Sequence, residues 1–76
     1  MQVGDLVSPH YFVELCDTIQ LEELTDIFVI SDVGVLLAIF VDDRYHEGPE
    51  ALMCQVLSPR GIVGWVCGKH ITKLEA

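Results

Sequence analysis

Turn-forming residues interrupt this 76-residue chain at short intervals, and their spacing constrains the fold more than any other feature of the sequence. Residues 58–61, for example, have Pro59 at the second turn position and Gly61 at the fourth, as a type I turn prefers. The segments between the turns are short and rich in β-branched and aromatic residues. We therefore predict an all-β protein, a small five-stranded barrel in a single domain over residues 1–76.

The longest apolar run covers residues 33–41 and has no polar side chain on either face, which predicts a strand buried on both sides. It has about half the length that a transmembrane helix needs, so we expect no membrane span. Hydrophobic residues make up 51% of the chain, a composition that excludes a disordered protein. So short a chain cannot bury all of this apolar surface, and we expect part of it to stay outside.

The charged residues are distributed unevenly along the chain. Nine of the twelve acidic residues precede the first basic residue, Arg44, and the net charge is −8. Nucleic acids and anionic membranes both require basic groups, so we expect direct binding to neither. The acidic half has two interpretations, which are a solvated face that keeps the domain soluble and a surface that attracts a basic protein.

Residue types that commonly form catalytic or metal sites are few in this sequence, and they are scattered along it. Cys16, Cys54 and Cys67 lie in apolar stretches without C-x-x-C spacing, which predicts buried free thiols in a reducing compartment. His70 follows Cys67 by three residues, but a nucleophile or a zinc site would need further partners. Adjacent carboxylates such as Glu22 and Glu23 face opposite ways on a strand. We therefore expect no enzyme, no cofactor and no metal site.

Both ends of the chain carry short motifs that are known from small barrels. Residues 3–9 read V-G-D-L-V-x-P, and Gly64, Trp65 and Val66 are followed by Ile71 and Leu74 at the spacing found around a final 3₁₀ turn. On these residues the chain resembles the Src-homology-type (SH3-like) β-barrels, in particular those encoded by tailed bacteriophages. The resemblance covers residues 1–7 and 33–76 and implies that residues 8–30 form an enlarged first loop. Polyproline recognition is not expected, because the tyrosine and proline of the peptide-binding branch are missing near the 3₁₀ turn.

The proposed first loop has little regular pattern of its own. Residues 11–16 fit either a strand or the arm of a long loop. In residues 17–24, Asp17 can cap a helix and Leu21 and Leu24 are three positions apart, which predicts one short helical turn.

Because the sequence predicts no active site and no metal site, we expect the protein to function through its surface, by binding another protein. The resemblance implies a virion accessory component, either cement or connector, and the alternative is an acidic inhibitor that binds a basic surface of a host protein. The expected location is the virion or the cytoplasm of an infected host, and a homo-oligomer is a further candidate. The expected contact residues are the exposed aromatic, apolar and acidic ones, namely Tyr11, Phe12, Glu22, Glu23, Asp26, Phe28, Ile30, Tyr45 and Trp65.

Overall fold

The structure is a computed structural model that describes residues 1–18, 20–41 and 52–74. These residues form seven strands and no α-helix. The strands are β1 (Leu6–Pro9), β2 (Val13–Cys16), β3 (Leu24–Phe28), β4 (Gly34–Val41), β5 (Leu52–Leu57), β6 (Val63–Cys67) and β7 (Ile71–Lys73). A 3₁₀ helix at Gly68–His70 separates β6 from β7, at the place that the sequence motif indicated.

All strand pairs are antiparallel, and the strands form one sheet in the order β3-β2-β6-β5-β4-β1-β7. The sheet curls into a half-barrel, so that β3 and β7 are its two edges. The all-β class is thus confirmed, whereas the expected count of five strands is not. The difference arises partly in residues 8–30, where β2 and β3 form a hairpin that joins the sheet beside β6.

The helical turn expected over residues 17–24 is not confirmed. The described residues of this segment form bends and a turn, and Leu24 already belongs to β3. Leu21 has a φ of 59°, in the left-handed region, where a right-handed helix cannot continue. The backbone N–H of Leu21 instead donates to the carbonyl of Thr18 over 3.0 Å.

The core lies on the concave side of the curled sheet and consists of side chains from all seven strands. Its fully buried members include Val7, Leu15, Phe28, Leu36 and Val56. The side chains of Cys16, Cys54 and Cys67 are buried, as the sequence predicted. Gly64 permits close packing between β6 and β2, because a Cβ there would lie 2.5 Å from the Cβ of Leu15.

Strand β4 is largely buried at its start and exposed at its end, so the prediction of a strand covered on both sides is wrong. Leu36 is fully buried, but Phe40 is 44% exposed and Val41 is 57% exposed. The β2–β3 hairpin pairs with β6 and reaches only the start of β4, where the Phe28 ring would lie 3.0 Å from a Cβ at Gly34. Residues 37–41 of β4 are half-buried or exposed, although all five are apolar.

The turn over residues 58–61 joins β5 to β6 and matches its prediction. The N–H of Gly61 donates to the carbonyl of Ser58 over 2.9 Å, and Gly61 has a φ of 80°. This turn projects Arg60 toward β3 and the β3–β4 connection.

Candidate functional site

An open groove of about 320 Å³ lies between the β2–β3 hairpin and the 3₁₀ helix. Aromatic and aliphatic side chains form much of its wall, and Glu14 adds a carboxylate. The residues that define this groove are Tyr11, Phe12, Glu14, Leu21, Cys67 and His70. Tyr11 and Phe12 are both more than half exposed, so their rings are accessible to a binding partner.

A contact between Tyr11 and His70 fixes one wall of the groove. The Tyr11 hydroxyl is hydrogen-bonded to Nδ1 of His70, and the two rings meet edge to face with centroids 5.5 Å apart. The backbone N–H of His10 also donates to the carbonyl of His70 over 3.0 Å. Burial lowers the pKa of His70, and the nearby charges of Lys69 and His10 lower it further. The lowered pKa favours the neutral ring, and one nitrogen of a neutral imidazole can accept a hydrogen bond from the Tyr11 hydroxyl.

The opposite wall is formed by the loop between β2 and β3. The N–H of Asp17 donates to the carbonyl of Glu23 over 2.8 Å, and the N–H of Glu23 donates to Oδ1 of Asp17 over 3.1 Å. These two hydrogen bonds close the loop at its base. Leu21, at the tip, keeps its left-handed backbone and lines the groove. A leucine in this conformation is strained, and strain of this kind is often found at binding sites.

The acidic residues of the first half of the chain fall into two groups. Asp26 and Asp32 pair with Arg60, and Asp5 lies 3.9 Å from the Lys73 amine. The other described acids make no ion pair with a described basic residue, and all of them belong to β2 or to the β2–β3 loop: Glu14, Asp17, Glu22 and Glu23. The unneutralised charge of the described residues is therefore concentrated beside the groove.

Arg60, Asp26 and Asp32 form what we call the Arg60 cluster. Nε of Arg60 donates to Asp26 over 2.8 Å, and its two terminal nitrogens donate to both carboxylate oxygens of Asp32 over 3.3 and 2.8 Å. Desolvation raises the pKa of Asp26, but hydrogen bonds from Arg60 and Ser58 outweigh it and leave that pKa below its usual value. Hydrogen bonding from Arg60 likewise lowers the pKa of Asp32.

The expected contact residues occupy different parts of the molecule. Tyr11 and Phe12 lie in the groove, and Glu22 and Glu23 are exposed in the adjoining loop. Trp65 is half-buried in β6, opposite Cys16 of β2. Ile30 is 67% exposed in the β3–β4 connection, which does not line the groove.

Two of the expected contact residues are unsuited to that role. Phe28 is completely buried, because it pairs with Val13 and points into the core, so its prediction as a contact residue is wrong. Asp26 is held in the Arg60 cluster, where its charge is already balanced. Tyr45 lies outside the described residues.

Sequence reasoning did not select Leu21, Glu14 or His70 as binding residues. His70 had a signal, because it lies in the stretch where the sequence motif indicated a 3₁₀ turn. Leu21 had none, because leucine is among the residues least expected in a left-handed conformation.

The raised pKa values of Cys16 and Cys54 make these two thiols poor nucleophiles at neutral pH. Burial raises the pKa of Cys16, and burial together with Cys67 raises the pKa of Cys54 to about 11. A nucleophilic cysteine needs a lowered pKa.

Among the described residues, no three histidine, cysteine or acidic side chains are grouped closely enough to hold a metal ion. The described ranges also contain no helix of the length and hydrophobicity that crossing a bilayer requires.

Comparison of the chain with protein-family models, with curated proteins and with solved structures gives no match.

Proposed function

We propose that this chain is a non-enzymatic protein-binding domain whose groove takes a basic, partly apolar segment of its partner. The observation that carries the proposal is the position of Glu14, Asp17, Glu22 and Glu23, which are the unpaired acids of the described residues and adjoin a groove with exposed aromatic rings. Aromatic side chains supply contact area, while carboxylates at the rim attract and orient a basic partner.

The strand arrangement supports an SH3-like barrel as the finer description of the fold. A hairpin lies between the first strand and the long central strand, and a 3₁₀ helix lies between the last two strands. Within that proposal, a virion accessory component of a tailed phage is one role, located in the virion. The acids beside the groove favour the second role, which is a modulator that binds a basic surface of a host protein in the host cytoplasm.

Affinity capture followed by mass spectrometry tests the proposal and separates the two roles. We expect the tagged chain to retain a defined basic protein at low salt and to release it as salt screens the carboxylates. A host protein supports the modulator, whereas phage structural proteins and sedimentation with particles support the virion component. Failure to retain any protein under both salt conditions would contradict the protein-binding function.

Two matched pairs of variants locate the contact on the groove. Phe12→Ser should abolish retention of the captured protein, whereas Ile30→Ser, which changes a similarly exposed residue off the groove, should not. Glu22→Gln with Glu23→Gln should weaken binding about tenfold at low salt and less at high salt, since rim charges contribute mainly through screened attraction. Equal effects of Phe12→Ser and Ile30→Ser would place the contact elsewhere.

A further inference from the structure

The groove has a buried floor and exposed aromatic sides. Cys16 and Cys67 line it and are both buried, so they form its floor. Tyr11 and Phe12 line it and are both more than half exposed, so their rings form its sides. Among the described residues that line the groove, Glu14 is the one carboxylate, and none is a lysine or an arginine. An occupant therefore needs an apolar stem and a group that matches a negative charge.

Glu14 differs from the other acids that make no ion pair with a described basic residue. Those others belong to the β2–β3 loop and do not line the groove: Asp17, Glu22 and Glu23. Glu14 lies between buried Val13 and buried Leu15, so the alternation of β2 turns its side chain away from the core. Its charge reaches the floor, because it adds to the desolvation that raises the pKa of Cys16. The groove thus contains one negative charge of its own, and the loop acids act on it from a distance.

This combination disfavours most side chains as the occupant. An acidic side chain would be repelled by Glu14 and by the loop acids. A purely apolar side chain would remove water from the Glu14 carboxylate without supplying a counter-charge, which costs free energy. A basic side chain meets both requirements, since its aliphatic stem covers the floor and its charged end reaches the carboxylate.

The aromatic sides then favour arginine over lysine. A guanidinium group is planar and weakly hydrated, so it can stack on a ring while it donates two hydrogen bonds to one carboxylate. An ammonium group is more strongly hydrated and loses more when it leaves water. The Phe12 ring is exposed, and the Tyr11 ring is already held by its hydrogen bond to His70. Little ordering of the Tyr11 wall is therefore needed on binding.

We infer that the groove takes one arginine side chain of the partner, with its stem over the floor, its guanidinium on the Phe12 ring and its charge against Glu14. A volume of about 320 Å³ lies at the lower end of the range for ligand pockets, which suits one long side chain rather than a folded element. The inference rests on the proposed function and specifies it. Glu14 and Phe12 determine which residue anchors the partner, while the loop acids set the rate and the salt dependence of the encounter.

Three blocked pentapeptides test this anchor, each with alanine and leucine around a central arginine, lysine or citrulline. Citrulline has the shape of arginine without its charge. NMR titration of the isotope-labelled chain at low salt gives the dissociation constants and shows which residues are affected. We expect the arginine peptide to shift the signals of Tyr11, Phe12 and Glu14. The lysine peptide should bind about threefold more weakly and the citrulline peptide about tenfold more weakly.

Substitutions in the groove separate the charge from the stacking. Glu14→Gln should bring the arginine and citrulline peptides to about equal affinity. Glu22→Gln removes the same charge from the loop and should keep most of the preference for arginine. Phe12→Leu should remove the preference for arginine over lysine and keep the preference over citrulline. All three positions are exposed, and the ranking of the peptides on the unchanged chain tests the anchor without any substitution.

The outcomes distinguish a failure of this inference from a failure of the proposed function. Equal affinity of the arginine and lysine peptides, an unaltered preference in Glu14→Gln, or no shift of the groove signals at millimolar arginine peptide would each overturn the arginine anchor. Retention of a basic protein in the affinity capture would in that case still support the protein-binding function. The expected ranking of the peptides without any retained protein would support the anchor and contradict the proposed function.

Discussion

At the scale of single residues, His70 connects the groove to the protonation state of the protein. Nδ1 of its ring is hydrogen-bonded to the Tyr11 hydroxyl, and its backbone carbonyl accepts a hydrogen bond from the N–H of His10. The lowered pKa means that the folded protein favours the neutral ring more than the unfolded chain does. His70 is thus a positioning residue for Tyr11, and its influence depends on pH.

The pH dependence has a definite sign. Because the folded pKa is below the unfolded value of about 6.5, folding excludes a proton that the unfolded chain binds. We expect the free energy of unfolding to fall as pH drops from about 6.5 through the lowered pKa. His70→Gln should remove this part of the fall, whereas His10→Gln should keep most of it. Urea denaturation at several pH values between 5 and 8 measures the effect, and identical profiles for His70→Gln and the unchanged chain would contradict it.

At the scale of secondary-structure elements, the contact between β2 and β6 depends on a missing side chain. A Cβ at Gly64 would lie 2.5 Å from the Cβ of Leu15 and 2.6 Å from the hydroxyl oxygen of Thr25. Thr25 itself donates to the carbonyl of Leu15 over 3.2 Å. The β2–β3 hairpin, which forms one wall of the groove, is therefore packed against β6 so closely at Gly64 that no side chain fits there.

Gly64→Ala should consequently separate β2 from β6. We expect a loss of about 1–3 kcal/mol in the free energy of unfolding, as is usual when an added group enters a packed interior. Val63→Ala changes the adjacent, half-exposed residue and should cost less than about 1 kcal/mol. Chemical denaturation with urea measures both. Equal costs for the two variants would show that the β2–β6 contact is less tight than described.

The sequence predicted the elements better than it predicted their contacts. The turn at residues 58–61 and the buried cysteines follow from local patterns, and the 3₁₀ helix follows from the resemblance of the C-terminal motif; these predictions were right. Residues 27–30 are all apolar, so their pattern could not show that Phe28 points inward while Ile27 and Ile30 remain exposed. Leu21 lacked a signal because its backbone angle is imposed by the closed loop around it.

At the scale of the whole molecule, the Arg60 cluster joins parts of the chain that are far apart in sequence. Arg60 comes from the β5–β6 turn, Asp26 from the edge strand β3 and Asp32 from the β3–β4 connection. No local pattern could predict this pairing, because it exists only once the sheet has curled. The same pairing removes Asp26 and Asp32 from the charge available to a partner and leaves the acids around the groove.

The Arg60 cluster should make the free energy of unfolding depend on pH in the acid range. Its two carboxylates have lowered pKa values, so their contribution is complete above the unfolded value of about 3.9 and is lost as pH falls through the folded values. Arg60→Gln should lower the urea midpoint at pH 7, and its difference from the unchanged chain should disappear near pH 2. Arg60→Lys keeps the charge without the planar fork and should give an intermediate midpoint. A difference that persists at pH 2 would exclude the carboxylates as the cause.

The Arg60 cluster also changes what another chain can do at the free edge of β3. Ile27 donates its N–H to Asp26 over 2.9 Å, and its carbonyl accepts from Arg60 over 2.7 Å, while the N–H of Val29 donates to Asp32 over 3.0 Å. An incoming strand would need these same backbone groups for its ladder of hydrogen bonds. Side chains of the protein therefore occupy the template on which edge-to-edge aggregation would begin. Protonation of the two aspartates would free that template, so acid conditions should promote fibril growth as well as unfolding.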